Sequence, residues 1–448
     1  GGWDVADFEG ESGPDWLRSL SWTALNSAIS TDAATADLRF EDELKRANGN
    51  GVRYEIRKQK SLDIEPIPVP VLARLETEIL KRVPVQNAIA AQQTVLAIAA
   101  RIAGRHTVTT SGDPSSLYLA LAAPSVGDVR PYLHQAAAIM EQAGMGPSVR
   151  QSRLSVMTQI QKLLWRQPAL LYLCSEWGIL LGFAKRQPAG SLEMALTLLA
   201  DLWDAKSLTI DADDLKLPDA DGGQQIIRVP HISMLALLSH DQLSTAVKLS
   251  EMSRGALEQI QYWILDDDAF KVVDPDFITT APYPDDMIAD MQRIQSSQVM
   301  NDGNLSGVTL PWVMPRQVKA DFAVPIQPFY AELDAFQQHR SARPILNASR
   351  LIIRRMANII AYWTNPDSPV ITAPIIQWCV NLEAARVRAL FARFPSLSGD
   401  EGKASPYDKL LEFITGEKHD GVRNSDMVSG CRAYRALDDA KRDALLKQ

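Results

Sequence analysis

The chain has 448 residues, enough for about three domains and several buried cores. It carries 46 Lys and Arg against 54 Asp and Glu, a formal net charge of −8, and is 46% hydrophobic. This balance excludes a disordered or collagenous chain, and it argues against a surface that coats nucleic acid non-specifically. Cys174, Cys379 and Cys431 lie far apart, with no CxxC and no histidine at ligand spacing, so neither a zinc ribbon nor a disulfide framework is expected. Three buried thiols in a reducing cytoplasm are expected instead. No run approaches the ~18 apolar residues of a membrane span. The richest, 170–183, is broken by Glu176. No signal peptide is visible. The chain begins Gly-Gly-Trp rather than Met, as a piece of a longer polypeptide would.

Residues 1–66 are polar and rich in Gly and Asp, and read as a linker or extension. Their basic run, Lys45, Arg46, Arg53, Arg57, Lys58 and Lys60, reads as a solvated segment. Residues 67–106 turn helical: Leu72, Leu75, Ile79 and Leu80 recur at helical spacing, as do Val95, Ile98 and Ile102. Pro84 separates two helices, and Gly104 reads as a C-cap.

A change of style follows. Residues 116–123 (SLYLALAA) form a continuous apolar run that ends in Pro124-Ser125-Val126-Gly127, with a helical pattern over 131–143. A helix over 152–165 precedes a second buried-type strand, 169–174 (ALLYLC), and a helix over 192–203 follows. Further strands are expected at 232–238 and 262–265. Strands alternating with helices predict an α/β fold with a parallel, doubly covered sheet over 107–320, with ligands at the carboxyl ends of its strands. The acidic stretch 211–223 lacks the spacing of a calcium loop and reads as a surface insertion.

A helical subdomain is expected over 321–397. Within 334–394 stand eight arginines, no lysine and three acids, a local charge of +5. Arg343, Arg350 and Arg354 share a helical face. Two readings stand: phosphate or carboxylate recognition by arginine forks, or pairing with the acidic middle of the chain. Residues 398–448 read as a small helical module, with Arg432 and Arg435 beside Tyr434, compatible with a partial winged helix that lacks its β-wing.

The chemistry-bearing candidates lie in the strand-to-helix turns. A phosphate-binding loop needs glycines for backbone approach, a lysine for charge, and a Ser or Thr for magnesium. Here Ser125, Gly127 and Arg130 stand in a turn with one glycine and no lysine, and Asp128 puts negative charge where phosphates need positive. After the second strand, Glu176 stands where a water-activating carboxylate would, but Ser175 takes the place of a magnesium-binding Asp. No GxSxG or HExxH is present, and His231 and His240 read as structural.

From 67 to 394 this order resembles the helicase-like P-loop ATPases of phage and prophage primase–helicase polypeptides. In that family an apolar strand ends in Ala-Pro-Ser/Thr-Gly-x-Gly-Lys. A strand ending in Asp-Glu follows, then a strand with a polar sensor, a Gly-x-x-x-Arg segment and two C-terminal helices. The matching pieces are 116–125, 170–178, 232–240 with Ser239 and His240 at the sensor, 255–259, 350–363 and 369–378. Gly2-Trp3-Asp4-Val5-Ala6-Asp7 resembles the tail behind the family's primase-type domain. The resemblance implies a RecA/AAA+-type sheet, a bacterial host cytoplasm and DNA replication. It also implies ring-type homo-oligomers, DNA or replication proteins as partners, and Mg-ATP as cofactor.

The departures point elsewhere. The loop is a residue short and lacks its Lys. The metal-binding Asp is Ser175, and the family's arginine falls on Gln259, with Arg254 or Arg130 as substitutes. An arginine finger alone is worth about 10³–10⁵ in rate. The expectation is therefore a pseudo-ATPase with no cofactor and Glu176, Ser125, Gly127, Arg130, Ser175 and Ser239 as remnants. Nucleic acid would be held by Arg343, Arg350, Arg354, Arg432 and Arg435. Two alternatives stay open: an active, atypical ATPase using Mg-ATP, or a module that binds a host protein.

Overall fold

The run at 116–123 becomes β3 (Tyr118–Ala123), every residue of which is buried. The run at 169–174 becomes β5 (Ala169–Cys174), and a third becomes β8 (His231–Ser239). With β4 (Val149–Arg150) and β9 (Ile260–Ile264) they build one five-stranded sheet in the order β4-β5-β8-β3-β9. All four pairings are parallel, with Leu119 opposite Leu235 and Gln261, and Leu173 opposite Leu235 on the far side. Continuous apolar strands are what a parallel sheet covered on both faces demands. The computed structural model describes residues 65–108, 112, 114–151, 156–186, 190–217, 222–246, 258–296, 316–317, 319–320 and 343–393. The chain divides into two units, Gly1–Lys60 and Ser61–Gln448, and the described residues belong to the second.

Helices flank the sheet. α1 (Pro70–Leu80) leads into α2 (Ala88–Ala103), in which every residue but Ala88 is buried. The helix is Ala-rich, which lets its backbone approach the strands closely, and Asn87 caps it by accepting the Ala90 N–H at 2.9 Å. α2 packs on β3, β5 and β8 and on α3 (Val126–Gln142). The helices of 67–106 thus pack into the same core as the sheet.

The second group of helices is α4 (Met157–Arg166), α5 (Trp177–Arg186), α6 (Ser191–Asp204) and α7 (His240–Ala246). The connection β3–α3–β4 runs toward one edge of the sheet, whereas those through α4, α5 with α6, and α7 run toward the other. Parallel crossovers are right-handed, so α3 lies on one face and the four later helices on the opposite face.

Two differences from the sequence pattern have local causes. α3 starts at Val126, with Ser125 as its cap, and holds Pro131 inside its second turn, where the proline gives up the bond of its own nitrogen. The acidic insertion is the tip of an antiparallel hairpin, β6 (Ser207–Asp211) with β7 (Gln224–Arg228). At that tip Asp211 accepts the N–H groups of Asp213 and Asp214, and Asp213 accepts that of Gly223, so the carboxylates cap backbone.

Beyond the sheet, β1 (Val85–Gln86) pairs with β10 (Lys271–Val272), and α8 (Asp285–Ser296) packs on α1 and α2. Two short pairs link β2 (Thr107–Val108) to β11 (Arg316–Gln317), and β12 (Lys319–Ala320) to β13 (Val370–Ile371). α9 (Arg343–Thr364) and α10 (Ala373–Arg393) pack together, α9 against α2 and α10 along the edge strand β9. Covering that edge removes a row of unpaired peptide groups. Among the described residues no helix is long and apolar enough to cross a membrane, and no cluster of His, Cys, Asp or Glu could hold a metal ion.

Candidate functional site

A parallel sheet opens a ligand crevice where neighbouring strands send their connections in opposite directions. Here that point lies between β3, whose chain leaves toward β4, and β8, whose chain leaves toward β9. The sequence candidates lie on the turns around it.

The β3–α3 connection is Pro124 and Ser125 alone. Ser125 is extended and its hydroxyl accepts the Gly127 N–H at 3.2 Å, while its carbonyl accepts that of Asp128. Two residues cannot wrap a phosphate, and the Gly127 and Asp128 amides already have Ser125 acceptors. Gly127 is exposed, and a Cβ there would meet only the Ser125 hydroxyl, at 3.3 Å. Arg130 is exposed one turn further on.

On β8, Ser239 and Gln242 form a reciprocal capping box: the Ser239 N–H donates to Gln242 Oε1 at 2.9 Å, and the Gln242 N–H to Ser239 Oγ at 3.1 Å. The expected sensor hydroxyl is thus a helix cap. Gln242 also lies against Gly178 in α5, where any Cβ would come within 2.6 Å of its side chain. Ser175 and Glu176, both half-buried, form the turn into α5 beside this contact, and the Glu176 carbonyl accepts the Leu180 N–H.

His240 crosses the crevice. Its Nε2 lies 3.1 Å from the Ala122 carbonyl, which also accepts the Leu265 N–H at 2.9 Å. A carbonyl only accepts, so Nε2 carries the proton. Burial and the Arg393 guanidinium hold the imidazole below its ordinary range, against the pull of the Ala122 bond, Asp266 and Asp267. Asp266 is pushed up by burial and by Asp268, opposed by His240 and Arg393. Imidazole, carboxylate and the end of α10 thus share one electrostatic neighbourhood at the mouth.

Of the described arginines over 334–394, two are internal. Arg355 is fully buried: Nη1 donates to the carbonyls of Ser116 at 3.1 Å and Trp203 at 2.8 Å, Nη2 pairs with Asp204, and the guanidinium stacks 3.7 Å from the Trp203 ring. Arg386 is buried too, paired with Glu383 and donating to Ser349. These two take the intramolecular reading. Arg354 is exposed and Arg350 half-buried in the middle of α9. Arg343 opens the same helix. Arg254, Arg432 and Arg435 lie outside the described residues, as does Cys431. Gln259 is half-buried just before β9.

His240 as a plug was missed, though Ser-x-x-Gln at 239–242 is a readable cap signature. Compared with protein-family models and with curated proteins, the chain gives no match.

Proposed function

We propose that the protein is a non-catalytic relative of the helicase-like P-loop ATPases, serving phage or mobile-element DNA replication as a nucleic-acid-binding or scaffolding component. The observation that carries this reading is the short β3–α3 turn: two residues, with the Gly127 and Asp128 amides taken by Ser125 and His240 bonded across to Ala122. The sheet's switch point supports descent from a fold that binds ligands there. The lost Lys and Asp, and the short turn, support loss of phosphoryl transfer, which depends almost entirely on positioning and charge. The exposed Arg354 and its neighbours on α9 support local contact with phosphate groups.

The test is titration of Mg-ATP into the purified chain, with hydrolysis followed with and without single-stranded DNA. The expected result is neither binding at the mouth nor turnover, with salt-dependent DNA affinity that falls in Arg354→Ala. Turnover stimulated by DNA would replace this reading with the active-ATPase one. A tight protein partner without DNA affinity would replace it with the interaction-module reading.

A further inference from the structure

The opposite, amino-terminal end of the sheet holds a second cluster that the nucleotide reading does not use. Arg101 and Arg105 stand four apart at the end of α2, 4% and 9% exposed. Neither has a carboxylate partner among the described residues. Arg105 donates Nε to the Val229 carbonyl at 3.2 Å and Nη2 to the Arg228 carbonyl at 3.1 Å. Arg101 reaches only Gln295 Oε1, at 3.4 Å through Nη1, and its Nε is buried with no acceptor.

Among the described residues the surroundings add no compensating charge. Fully buried His231 is held neutral by burial and by Arg101, Arg355 and Arg105, with its ring between Ser116 Oγ at 3.2 Å and Ser233 Oγ at 2.9 Å. The acid of this region, Asp204, already pairs with Arg355. Burial lowers both Arg101 and Arg105, Arg101 further through Arg105 itself. Buried guanidiniums are normally paired, because desolvating a bare charge costs several kcal/mol. The backbone is also shaped around this pair. Val229, a β-branched residue, sits at φ +48°, a conformation such residues rarely adopt, and it is the Val229 carbonyl that orients Arg105.

We propose that Arg101 and Arg105 form an anion site for a phosphoryl group. Arg105 is pre-oriented by two carbonyls that leave Nη1 to donate, and Arg101 supplies Nε and Nη2 beside it. Planar forks of this kind match phosphate oxygens. The phosphoryl group belongs either to a free phosphate compound or to a nucleic-acid backbone. This site is independent of the sheet's crevice and of the proposed function.

The test uses the full chain without magnesium. Inorganic phosphate is titrated against thermal unfolding and by calorimetry, with chloride at matched ionic strength as reference. Arg101→Gln and Arg105→Gln keep hydrogen-bonding ends without charge. The expected result is a phosphate-dependent rise in Tm, with affinity reduced at least tenfold in each variant. In the absence of phosphate Arg101→Gln, which strands no backbone carbonyl, should unfold at or above the wild-type temperature. A labelled single-stranded oligonucleotide then separates the sources. Loss of its binding in Arg105→Gln assigns the phosphate to nucleic acid, and unchanged oligonucleotide binding assigns it to a free phosphate compound. If both variants fold and bind phosphate and oligonucleotide as the wild type does, the proposal is overturned. It is also overturned if Arg101→Gln is strongly destabilised without phosphate, because its charge would then already be compensated within the fold.

Discussion

Arg354 and Arg355 are chain neighbours with opposite environments, which makes them a sharp test of the structure. Replacing Arg355 with Ala strands the carbonyls of Ser116 and Trp203, frees Asp204 and empties the space over the Trp203 ring. Hydrogen bonds to a charged group contribute about 1.5–3 kcal/mol each, and a desolvated cation–π contact about 2 kcal/mol. These terms overlap, since one side chain makes all of them. Asp204 is about half exposed, so water recovers its charge. A net loss of about 4 kcal/mol follows, within the range for breaking a buried ion pair. Arg354→Ala removes an exposed side chain and is expected to stay within about 0.5 kcal/mol of wild type. Equilibrium urea unfolding, followed by circular dichroism and tryptophan fluorescence, reads both as shifts of midpoint at constant slope. Equal midpoints for the two variants, or a larger loss at Arg354, would refute the placement of α9.

Gly104→Ala would push a Cβ to 2.2 Å from the His231 ring, which Ser116 and Ser233 hold in place. The expected outcome is at least about 3 kcal/mol of destabilisation, or failure to accumulate folded protein, read by the same unfolding assay. Burial pushes the Glu76 carboxyl up to about 7, and its Oε2 is buried without a hydrogen-bond partner. Between about pH 4.5 and 7 the unfolded chain has released a proton that the folded chain keeps. Stability therefore falls as pH rises through that window, by up to about 1.4 kcal/mol per pH unit, and levels off above it. Glu76→Gln keeps an oxygen for the Ile67 amide and should flatten this slope and raise stability at pH 8. An unchanged slope would mean that Glu76 is not the group responsible.

The core strands were legible because a buried parallel strand writes itself as a continuous apolar run, as in 116–123, 169–174 and 232–238. What the pattern concealed was short or polar. β4 has two residues, too few to show a period, and β6 and β7 are half-exposed strands of a hairpin in an acidic stretch. Gly104 illustrates a different limit. It ends α2, but in ordinary right-handed backbone (φ −54°), so left-handed freedom is not why a glycine stands there. The reason is the His231 ring, 127 residues away in the chain, which no local signal announces. The arginines show the same limit. Arg354 and Arg355 read alike in sequence, and only tertiary packing separates a solvent-facing charge from one stacked on Trp203.

On the proposed reading, the mouth also sets how hard Mg-ATP binding would be to install. In the family the chain resembles, a lysine follows the loop's second glycine, and Asp128 follows Gly127 here. If the missing cation were the whole defect, Asp128→Lys would recover Mg-ATP binding. Three observations argue that it would not. The turn keeps only two residues, so no chain is available to wrap phosphates. His240 stays bonded to Ala122 across the crevice. Asp266, Asp267 and Asp268 remain at the end of β9, where an acid about 6 Å from a phosphoryl oxygen opposes it by about 3 kcal/mol at an effective dielectric of 20. Removing one of several acids and adding one base cannot offset that field while the plug and the short turn persist. Asp128→Lys alone, assayed by Mg-ATP calorimetry, is therefore expected to show no binding at the mouth. Recovery of binding by that single substitution would show that the crevice opens readily and that only its charge had been lost.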